Sequence, residues 1–448
     1  MQFPPVGEQL AVLERGVVDL HVRTELEERL EASRRTGHPL RVKAGFDPTR
    51  PDLHIGHTVL LQKMRQFQDL GHAVTFLVGD FTAMLGDPTG HNESRPRLTR
   101  AEVNRAAETY LEQASKVLEG SRLETRRNSE WLDRLALADT VELMAKSTVS
   151  RMLERKDFRH RFDEQRPIHQ HEFLYPLLQA YDSVVLECDV ELGGTDQLFN
   201  LLVGRDLMGK YGKRPQLVMT TPILEGTDAR VEQGVVVGPK MSKSANNYIG
   251  IQEAPIEMFR KVMQIDDGAI FRFFELLSTR STSEIEALRR DKVAGRNPLE
   301  IKAIFARETV ARFHGVAAAE QAAAEFDRVY SGGAVPENVP DVEVNPPGGV
   351  AELAWALKQA NLVASTSEAR RLVEQGGVEV DGARVIDPKT KLDSGTAHLV
   401  RVGSKNRRFA RIRVVVRTPE RSEGADAKSG QVRTPERSEG ADAKSGRR

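Results

Sequence analysis

The first half of the chain alternates short apolar runs with amphipathic segments. Leu60, Met64 and Phe67 recur at the spacing of one helix face, and apolar runs flank this segment on both sides. The runs predicted to be strands are 41–46, 73–78, 184–186 and 216–219. Because strands separated by helices favour a parallel sheet with both faces covered, we predict that residues 1–250 form an α/β domain.

The hydrophobic pattern changes near residue 251. Helical spacing continues with few strand signals, which predicts an α-helical domain over 251–330. Residues 331–349 are rich in glycine and proline, as is typical of an extended linker. Residues 350–416 begin with an amphipathic helix and continue into short strand-like pieces, which predicts a small α+β domain. One polar sequence then occurs twice without change, so the tail at 417–448 is predicted to be disordered.

Composition narrows the class of protein. The chain has 448 residues, of which 39% are hydrophobic and 29% are charged, as expected for a globular protein of several domains. A formal net charge of zero argues against a histone-like polycation. Cys188 is the only cysteine, which excludes an intramolecular disulfide and a cysteine-rich zinc site. Neither a signal peptide nor a long apolar stretch is evident, so we expect a cytoplasmic protein that does not span a membrane.

Two histidines flank a glycine just before the first amphipathic helix. They form the sequence His54-Ile55-Gly56-His57. A glycine lets the backbone approach a ligand closely, and a helix N-terminus offers free N–H groups and positive potential. The imidazoles can also donate to phosphate oxygens. The alternative interpretation is an ordinary pair of surface histidines near the start of a helix.

A lysine-rich loop supplies the second chemical signal. The sequence Lys240-Met241-Ser242-Lys243-Ser244 follows a glycine-rich stretch and precedes the helical segment. Two lysines on a loop provide mobile positive charge for a polyphosphate. A solvated basic loop is the alternative, but this particular string is much rarer by chance than a generic lysine pair.

The two strings, in this order, resemble the signature motifs of the class I aminoacyl-tRNA synthetases. The resemblance implies a Rossmann-type parallel sheet in the catalytic domain, with the two motifs holding ATP phosphates from opposite sides. It also implies Mg²⁺ bound to ATP and no metal bound tightly by the protein. The implied catalytic residues are His54, His57, Lys240, Lys243, Thr49 and Arg95, and Gly56 joins the two histidines and two lysines in binding ATP.

A third segment resembles the substrate-pocket helix of bacterial tyrosyl-tRNA synthetases. It contains Tyr175, Gln179 and Asp182, whose spacing places them on one helix face. The resemblance implies that Asp182 accepts the phenolic hydroxyl of tyrosine and that the other two bind the ammonium group together with Asp87. A polar stripe facing water is the alternative. The implied tyrosine-binding residues are Asp47, Thr82, Asp87, Tyr175, Gln179, Asp182 and Gln197.

Two positions depart from the family pattern. Lys43 stands where some members have a tyrosine that helps to recognise the substrate hydroxyl. His91 stands where those members have a lysine, so the loop after Asp87 carries less charge at pH 7. We therefore leave Lys43 out of the predicted site and assign more of the hydroxyl recognition to Asp182.

The C-terminal residues 350–416 resemble a small RNA-binding domain first known from a ribosomal small-subunit protein. The implied RNA contacts are Arg370, Arg371, Arg407 and Arg408. A basic cluster at 401–413 adds a local positive field to an otherwise neutral chain.

These features predict a tyrosine–tRNA ligase whose partners are tyrosine, ATP and tRNA(Tyr), and the resemblance implies a homodimer. A tryptophanyl enzyme is the nearest alternative, although it usually lacks the C-terminal domain. An inactive RNA-binding relative would have no need of both histidines and both lysines. A small-molecule nucleotidyltransferase also uses a His-x-Gly-His segment, but it would have no reason to carry an RNA-binding domain.

Overall fold

The computed structural model describes residues 3–48, 53–89, 98–331, 335, 339–346, 350–403 and 407–415. The chain divides into two compact units, Met1–Ala334 and Val335–Arg448. Several predicted features lie outside the described residues: Thr49, His91, Arg95 and the repeated tail at 417–448.

Within the described residues, the first unit is built around a six-stranded sheet. The strand order is β1-β6-β5-β2-β3-β4, and the edge strand β1 is antiparallel to β6 while the other neighbours run parallel. The strands are β1 (Asp19–His21), β2 (Arg41–Phe46), β3 (Ala73–Val78), β4 (Leu123–Arg127), β5 (Val190–Gly194) and β6 (Leu217–Thr221), and a separate hairpin consists of β7 (Arg230–Glu232) and β8 (Val235–Val237). The predicted parallel α/β sheet is confirmed.

Helices cover both faces of this sheet and continue beyond it. In the sheet region they are α1 (Val6–Leu13), α2 (Arg23–Thr36), α3 (Thr58–Asp69), α4 (Thr82–Leu85), α5 (Arg100–Ala114), α6 (Ser129–Leu132), α7 (Leu137–Ala145), α8 (Val149–Met152), α9 (Lys156–Asp163), α10 (Gln170–Leu186) and α11 (Leu198–Lys210). Beyond it follow α12 (Pro255–Gln264), α13 (Ile270–Leu277), α14 (Thr282–Val293), α15 (Pro298–His314) and α16 (Val316–Phe326). Single turns occupy Gly120–Arg122, Thr195–Gln197 and Asp327–Ser331.

The order of the strands determines where a ligand crevice opens. Strands β2 and β5 are neighbours, although β3 and β4 lie between them in the sequence. The connections after β2 and β5 therefore leave toward opposite sides of the sheet. In open parallel sheets this point of reversal, at the carboxyl ends of the strands, is where ligands bind.

Side chains alternate between the two faces of the sheet, and the two faces differ in polarity. Val42 and Ala44 belong to an apolar core that also contains side chains of α3. The other face carries Lys43 and Glu191, and Glu191 reaches Ser183 on α10. The sheet thus presents charged groups toward the helices on the side of α10.

One predicted strand is wrong. Residues 184–186 form the last turn of α10, and the strand of this region begins only at Val190. Three consecutive apolar residues have too little periodicity to distinguish a strand from a buried helix. Val184 is buried whereas Val185 is 37% exposed, as expected at the edge of a helix face.

The segment predicted as a helical domain, 251–330, does consist of helices, α12 to α16. Its apolar side chains, among them Phe259, Phe274 and Phe305, belong to the same core as Leu61 and Phe67 of α3. The helical segment therefore lies in one compact unit with the sheet.

The described part of the second unit has a five-stranded sheet of order β12-β11-β14-β15-β9 and a small pair, β10 and β13. Its elements are β9 (Asp341–Val344), β10 (Ala351–Glu352), α17 (Leu353–Gln359), α18 (Thr366–Glu374), β11 (Val378–Val380), β12 (Ala383–Val385), β13 (Lys391–Leu392), β14 (Ala397–Val402) and β15 (Arg408–Val414). The predicted α+β character is confirmed.

The prediction of an extended linker over all of 331–349 is wrong, because β9 pairs in parallel with β15. The alternating Asp-Val-Glu-Val sequence of β9 lies between prolines, which obscured its strand pattern.

None of the described helices is long and apolar enough to cross a membrane.

Candidate active site

The two histidines of the first motif lie against each other just before α3. Their ring centroids are 3.9 Å apart. The backbone N–H of His54 donates to Nδ1 of His57, and the backbone N–H of Gly56 donates to Nδ1 of His54, each at 3.2 Å. Because Nδ1 is an acceptor in both rings, each neutral ring carries its proton on Nε2. Both side chains therefore offer an N–H donor.

The surroundings keep both rings uncharged. Burial lowers the pKa of His54 to about 3 and that of His57 to about 4, and the positive charges of Lys240 and Lys243 act in the same direction. At pH 7 the histidines are donors without charge, and the lysines supply the positive charge. Gly56 is needed here because a Cβ would lie 2.9 Å from Nδ1 of His54.

An asparagine holds the backbone of the lysine loop in place. Asn247 is 3% exposed and accepts a 2.8 Å hydrogen bond from the backbone N–H of Ser242. Its Nδ2 donates to Asp228 Oδ1 at 3.0 Å and to the carbonyl of Lys240 at 3.3 Å. A Cβ on Gly226 would collide with Asn247 at 2.1 Å, so this glycine leaves room for the anchor. The loop is thus held by its backbone, while the Lys240 side chain is 61% exposed and Lys243 is half-buried.

The structure brings the two phosphate motifs together. Lys243 Nζ lies 5.9 Å from the ring centroid of Tyr248, and the Tyr248 ring is 6.3 Å from the ring of His54. His54 also forms an isolated β-bridge with Gly250, just after the loop. Lys240 Nζ is 3.8 Å from Asp196 Oδ2 at the carboxyl end of β5.

Asp47 lies at the carboxyl end of β2 and joins two other predicted residues. Tyr175 donates its hydroxyl to Asp47 Oδ2 at 2.9 Å, and Thr82 donates to Oδ1 at 2.8 Å. Burial raises the pKa of Asp47 to about 7, and Asp87 and Asp182 contribute in the same direction while the two hydroxyls oppose it. A pocket containing several carboxylates attracts a cationic group such as a substrate ammonium.

Asp87 is held by a dense set of donors. Its Oδ1 accepts from the backbone N–H of Thr89 at 2.9 Å and from the Thr89 hydroxyl at 2.6 Å. Its Oδ2 accepts from Gln197 Nε2 at 2.8 Å. The guanidinium of Arg155, 5% exposed, lies 3.6 Å away and donates to the Thr89 hydroxyl at 2.6 Å. The carboxylate is therefore fixed in position before any substrate binds.

The side chain of Asn200 connects the side-chain amides of Gln179 and Gln197. Its Nδ2 donates to Gln179 Oε1 at 3.0 Å and to Gln197 Oε1 at 2.9 Å. The carbonyl of the same side chain accepts from Arg155 Nη1 at 3.3 Å. Gln179 on α10 and Gln197 after β5 are thus oriented by one buried residue.

Asp182 is the most deeply buried of the predicted substrate carboxylates. Its side chain is 2% exposed and accepts from Trp131 Nε1 at 2.8 Å and from Asn128 Nδ2 at 3.4 Å. Burial raises its pKa to about 7, while Lys43 and these two donors act against the rise. A buried carboxylate with spare acceptor capacity suits a hydroxyl donor.

Sequence reasoning missed five residues that shape the site. They are Asn128, Trp131, Arg155, Asn200 and Asn247. Asn128 directly follows β4, and the rule that ligands bind at the carboxyl ends of parallel strands gave a signal for it. The others are recognisable only by their contacts in three dimensions.

The predicted RNA-binding arginines lie in the second unit. Arg370 and Arg371 are exposed on α18. Arg408 donates to the carbonyl of Leu362 at 2.6 Å, and its side chain therefore also has a structural contact. Within the basic cluster, Arg401 pairs with Glu379 and Arg411 lies 3.4 Å from Asp341.

Comparison with known proteins identifies the family. The family model described as tRNA synthetases class I (W and Y) matches residues 35–331, about two thirds of the chain. The chain belongs to the class I tRNA synthetases. This synthetase also matches the S4 domain model over residues 356–397, which confirms the predicted RNA-binding domain.

Curated relatives match the synthetase over most of its length. The tyrosine–tRNA ligase of Bordetella bronchiseptica is 52% identical over 413 residues, covering 92% of this chain and 98% of the relative. The tyrosine–tRNA ligase of Thiobacillus denitrificans is 52% identical over 406 residues, covering 91% and 99%.

Solved structures support the fold. A C-terminally truncated mitochondrial tyrosyl-tRNA synthetase of Aspergillus nidulans superimposes with a TM-score of 0.59 at 21% identity, covering 72% of this chain and 94% of that chain. The tyrosyl-tRNA synthetase of Archaeoglobus fulgidus, solved with L-tyrosine, gives a TM-score of 0.54 at 22% identity, covering 71% and 99%.

Proposed function

We propose that this synthetase is a tyrosine–tRNA ligase. It activates tyrosine with ATP, giving tyrosyl-adenylate and pyrophosphate, and transfers the tyrosyl group to the 3′-terminal adenosine of tRNA(Tyr). The observation that carries the proposal is Asp182, a buried carboxylate on α10 that accepts from Trp131 and Asn128. The similarity to tyrosine–tRNA ligases at 52% identity supports it independently.

The activation step needs charge stabilisation rather than a protein nucleophile. The tyrosine carboxylate is already ionised at pH 7 and attacks the α-phosphorus of ATP, and the bond from that phosphorus to the pyrophosphate oxygen breaks. His54 and His57 donate Nε2–H to phosphate oxygens, and Lys240 and Lys243 supply positive charge as the pyrophosphate leaves. By the family resemblance, Thr49 and Arg95 add to this phosphate site.

Magnesium belongs to the substrate in this proposal. Among the described residues, no group of three or more histidine, cysteine, aspartate or glutamate side chains is placed to hold a metal ion. Mg²⁺ prefers phosphate oxygens and water with few protein ligands, so it enters bound to ATP. The protein residues then bind the remaining phosphate oxygens.

Tyrosine binds with its two polar ends at opposite ends of the pocket. The ammonium group contacts Asp87, Tyr175 and Gln179. Gln197 donates to Asp87, and Tyr175 donates to Asp47, which also accepts from Thr82. The phenolic hydroxyl donates to Asp182. Phenylalanine has no such hydroxyl, so it leaves a buried carboxylate without the partner that desolvation requires.

The second unit contributes binding of tRNA. Exposed Arg370 and Arg371, together with Arg407 and Arg408, supply positive charge for phosphate contacts, which position an RNA without reading its bases. We place this step after adenylate formation, because the first reaction requires only the residues of the first unit.

We further propose that the enzyme acts as a homodimer in the cytoplasm. Leu137, Val141 and Met144 are 81%, 57% and 46% exposed and lie at i, i+4 and i+7 on one face of α7. A run of large exposed apolar side chains suits a contact with a second copy. The cytoplasm is where free tRNA, tyrosine and ATP meet during protein synthesis.

Aminoacylation of purified tRNA tests the function. The protein should attach labelled tyrosine to tRNA(Tyr) in the presence of ATP and Mg²⁺. The family model covers both tryptophanyl and tyrosyl enzymes, so tryptophan with tRNA(Trp) is the second reaction to measure. Charging of tRNA(Trp) without charging of tRNA(Tyr) would establish the alternative, and failure of both would reject the proposal.

A further inference from the structure

Lys43, one of the two positions that depart from the family pattern, is buried on the face of the sheet that faces α10. Its side chain is 1% exposed, and its Nζ is 2.9 Å from Oε1 of Glu191, which is 2% exposed. The two residues are register partners on the neighbouring strands β2 and β5. A full charge is thus held in the interior, where an ion is costly unless other groups compensate it.

The partner of Lys43 reaches the helix that carries Asp182. Glu191 Oε2 accepts from the hydroxyl of Ser183, the residue after Asp182, at 3.1 Å, and also from Gln216. Glu191 therefore connects Lys43 on β2 to α10. Among the described residues, no acceptor meets Nζ of Lys43 in full hydrogen-bonding geometry, although the ion pair with Glu191 is close. The ammonium consequently has donor capacity beyond that pair.

The charges around Asp182 come from several elements. Lys43 on β2 is positive and Glu191 on β5 is negative. Asp47 after β2 is a further buried carboxyl group, and burial raises its pKa to about 7 as well. Burial acts to lower the pKa of Lys43, but Glu191, Cys188 and Asp182 together raise it above its ordinary value, so the ammonium stays charged. For Asp182 the largest influence is burial, which raises its pKa, and the largest opposing influence is Lys43.

We propose that Lys43 is a positioning residue for tyrosine selection: its ammonium, fixed by Glu191, keeps Asp182 ionised and thereby provides a charged acceptor for the substrate hydroxyl. The inference rests on the proposed tyrosine specificity. Hydrogen bonds to an ionised acceptor are about twice as strong as neutral ones, so the charge of Asp182 governs how well a phenol is preferred to a phenyl ring. Lys43 thus acts through Asp182 and does not itself touch the substrate.

The pH dependence of substrate discrimination tests this role. In ATP–pyrophosphate exchange we would measure kcat/KM for tyrosine and for phenylalanine between pH 6 and 9 and take their ratio. Titration of the substrate ammonium and of the ATP site affects both substrates alike and cancels in the ratio. In the wild type the ratio should fall as the pH drops below about 7, because Asp182 becomes protonated.

Lys43→Met should move the midpoint of this profile upward from about 7 by about one pH unit or more. The ionised fraction of Asp182 at pH 7, and with it the ratio, should then fall by about fivefold or more. The double variant Lys43→Met/Glu191→Gln removes both charges and leaves no unpaired Glu191. Since Lys43 influences Asp182 more strongly than Glu191 does, the double variant should shift the midpoint in the same direction but less. It decides the question if the single variant does not fold.

Lys63→Met is the matched control. Lys63 is also a buried lysine, 4% exposed, but its Nζ donates to the backbone carbonyls of Leu13 and Arg15 at 2.8 and 2.7 Å. Its removal should lower stability and leave the profile unchanged. An unshifted midpoint in both Lys43 variants, or a loss that is equal for both substrates at every pH, would overturn the proposal. Failure of the wild type to activate tyrosine would instead reject the proposed function.

Discussion

At the phosphate end of the site, the protonation of a single imidazole decides which N–H donors and how much charge that side chain presents to ATP. His57→Ala removes an Nε2–H donor and should slow adenylate formation by roughly a hundredfold, about 3 kcal/mol, with tyrosine binding nearly unchanged. His57→Gln keeps an N–H at a similar position and should lose less. Rapid-quench measurement of adenylate at saturating substrates gives the rates.

The control for this experiment is another buried histidine. His72 contacts Gln9 at 3.0 Å and lies away from the proposed ATP site, so His72→Ala should change stability without changing the adenylate rate. An adenylate rate for His57→Ala equal to that of the wild type would remove this residue from the mechanism.

The lowered histidine pKa values predict how activation depends on pH. With a folded-state pKa of about 3 for His54 and about 4 for His57, both rings stay neutral down to about pH 5. Their contribution should therefore be constant between pH 6 and 8. A single-turnover rate that instead fell as pH rose through 6.5 would show that imidazolium cations are required.

Sequence patterns could predict site residues that belong to contiguous motifs, but not site residues whose roles depend on contacts in three dimensions. His54, Gly56 and His57 stand together in one string, and so do the lysines of the loop. Trp131 and Arg155 lie far from the residues that they hold, Asp182 and Asp87, along the chain. Their roles depend on how α6 packs against α10 and on how the start of α9 approaches the loop after α4, which no local pattern encodes.

At the scale of an element, the lysine loop works only if its backbone is held. Asn247→Ala removes the acceptor for Ser242 N–H and the donor to the Lys240 carbonyl. We expect a higher KM for ATP and slower adenylate formation, roughly tenfold for the loss of about 1.4 kcal/mol, with the Kd of tyrosine unchanged. ATP–pyrophosphate exchange at varied ATP concentrations measures the KM for ATP and the rate, and equilibrium dialysis measures the Kd of tyrosine.

Asn297→Ala provides the matched control for that variant. Asn297 caps α15, away from the loop, by accepting from the backbone N–H of Leu299 at 3.0 Å. This substitution should cost stability alone. If both asparagine variants changed the KM for ATP equally, or if neither did, the anchoring role of Asn247 would be contradicted.

Strands and helices with clear periodicity were predictable, and short pieces were not. The strands at 41–46 and 73–78 match β2 and β3 at both ends. The short run 184–186 belongs to α10, where packing of a long helix against the sheet overrides local strand preference. The strand β9 was missed because four residues among prolines gain their order from pairing with β15.

At the scale of the whole molecule, the two units should divide the labour between chemistry and RNA binding. The boundary after Ala334 is the place to cut, since a cut after Gly349 would remove β15 and leave its partner β9 behind. The protein ending at Ala334 should retain tyrosine-dependent pyrophosphate exchange, because the proposed catalytic residues precede the cut. Charging of tRNA at low concentration should be strongly weakened.

Salt provides the control for the truncation. If the second unit binds RNA through phosphate contacts, tRNA charging by the full chain should decline steeply with added salt, and charging by the truncated protein should decline less. Full tRNA charging by the truncated protein at physiological salt would contradict a role for the second unit in tRNA binding.

The most direct measurement of the central claim is ATP–pyrophosphate exchange with each of the twenty amino acids, one at a time, on the purified full chain. We predict exchange with tyrosine far above that with phenylalanine or tryptophan, and loss of this exchange by at least about a hundredfold in His57→Ala. Exchange driven best by another amino acid, or no exchange with any of them, would contradict the assignment of this pocket to tyrosine.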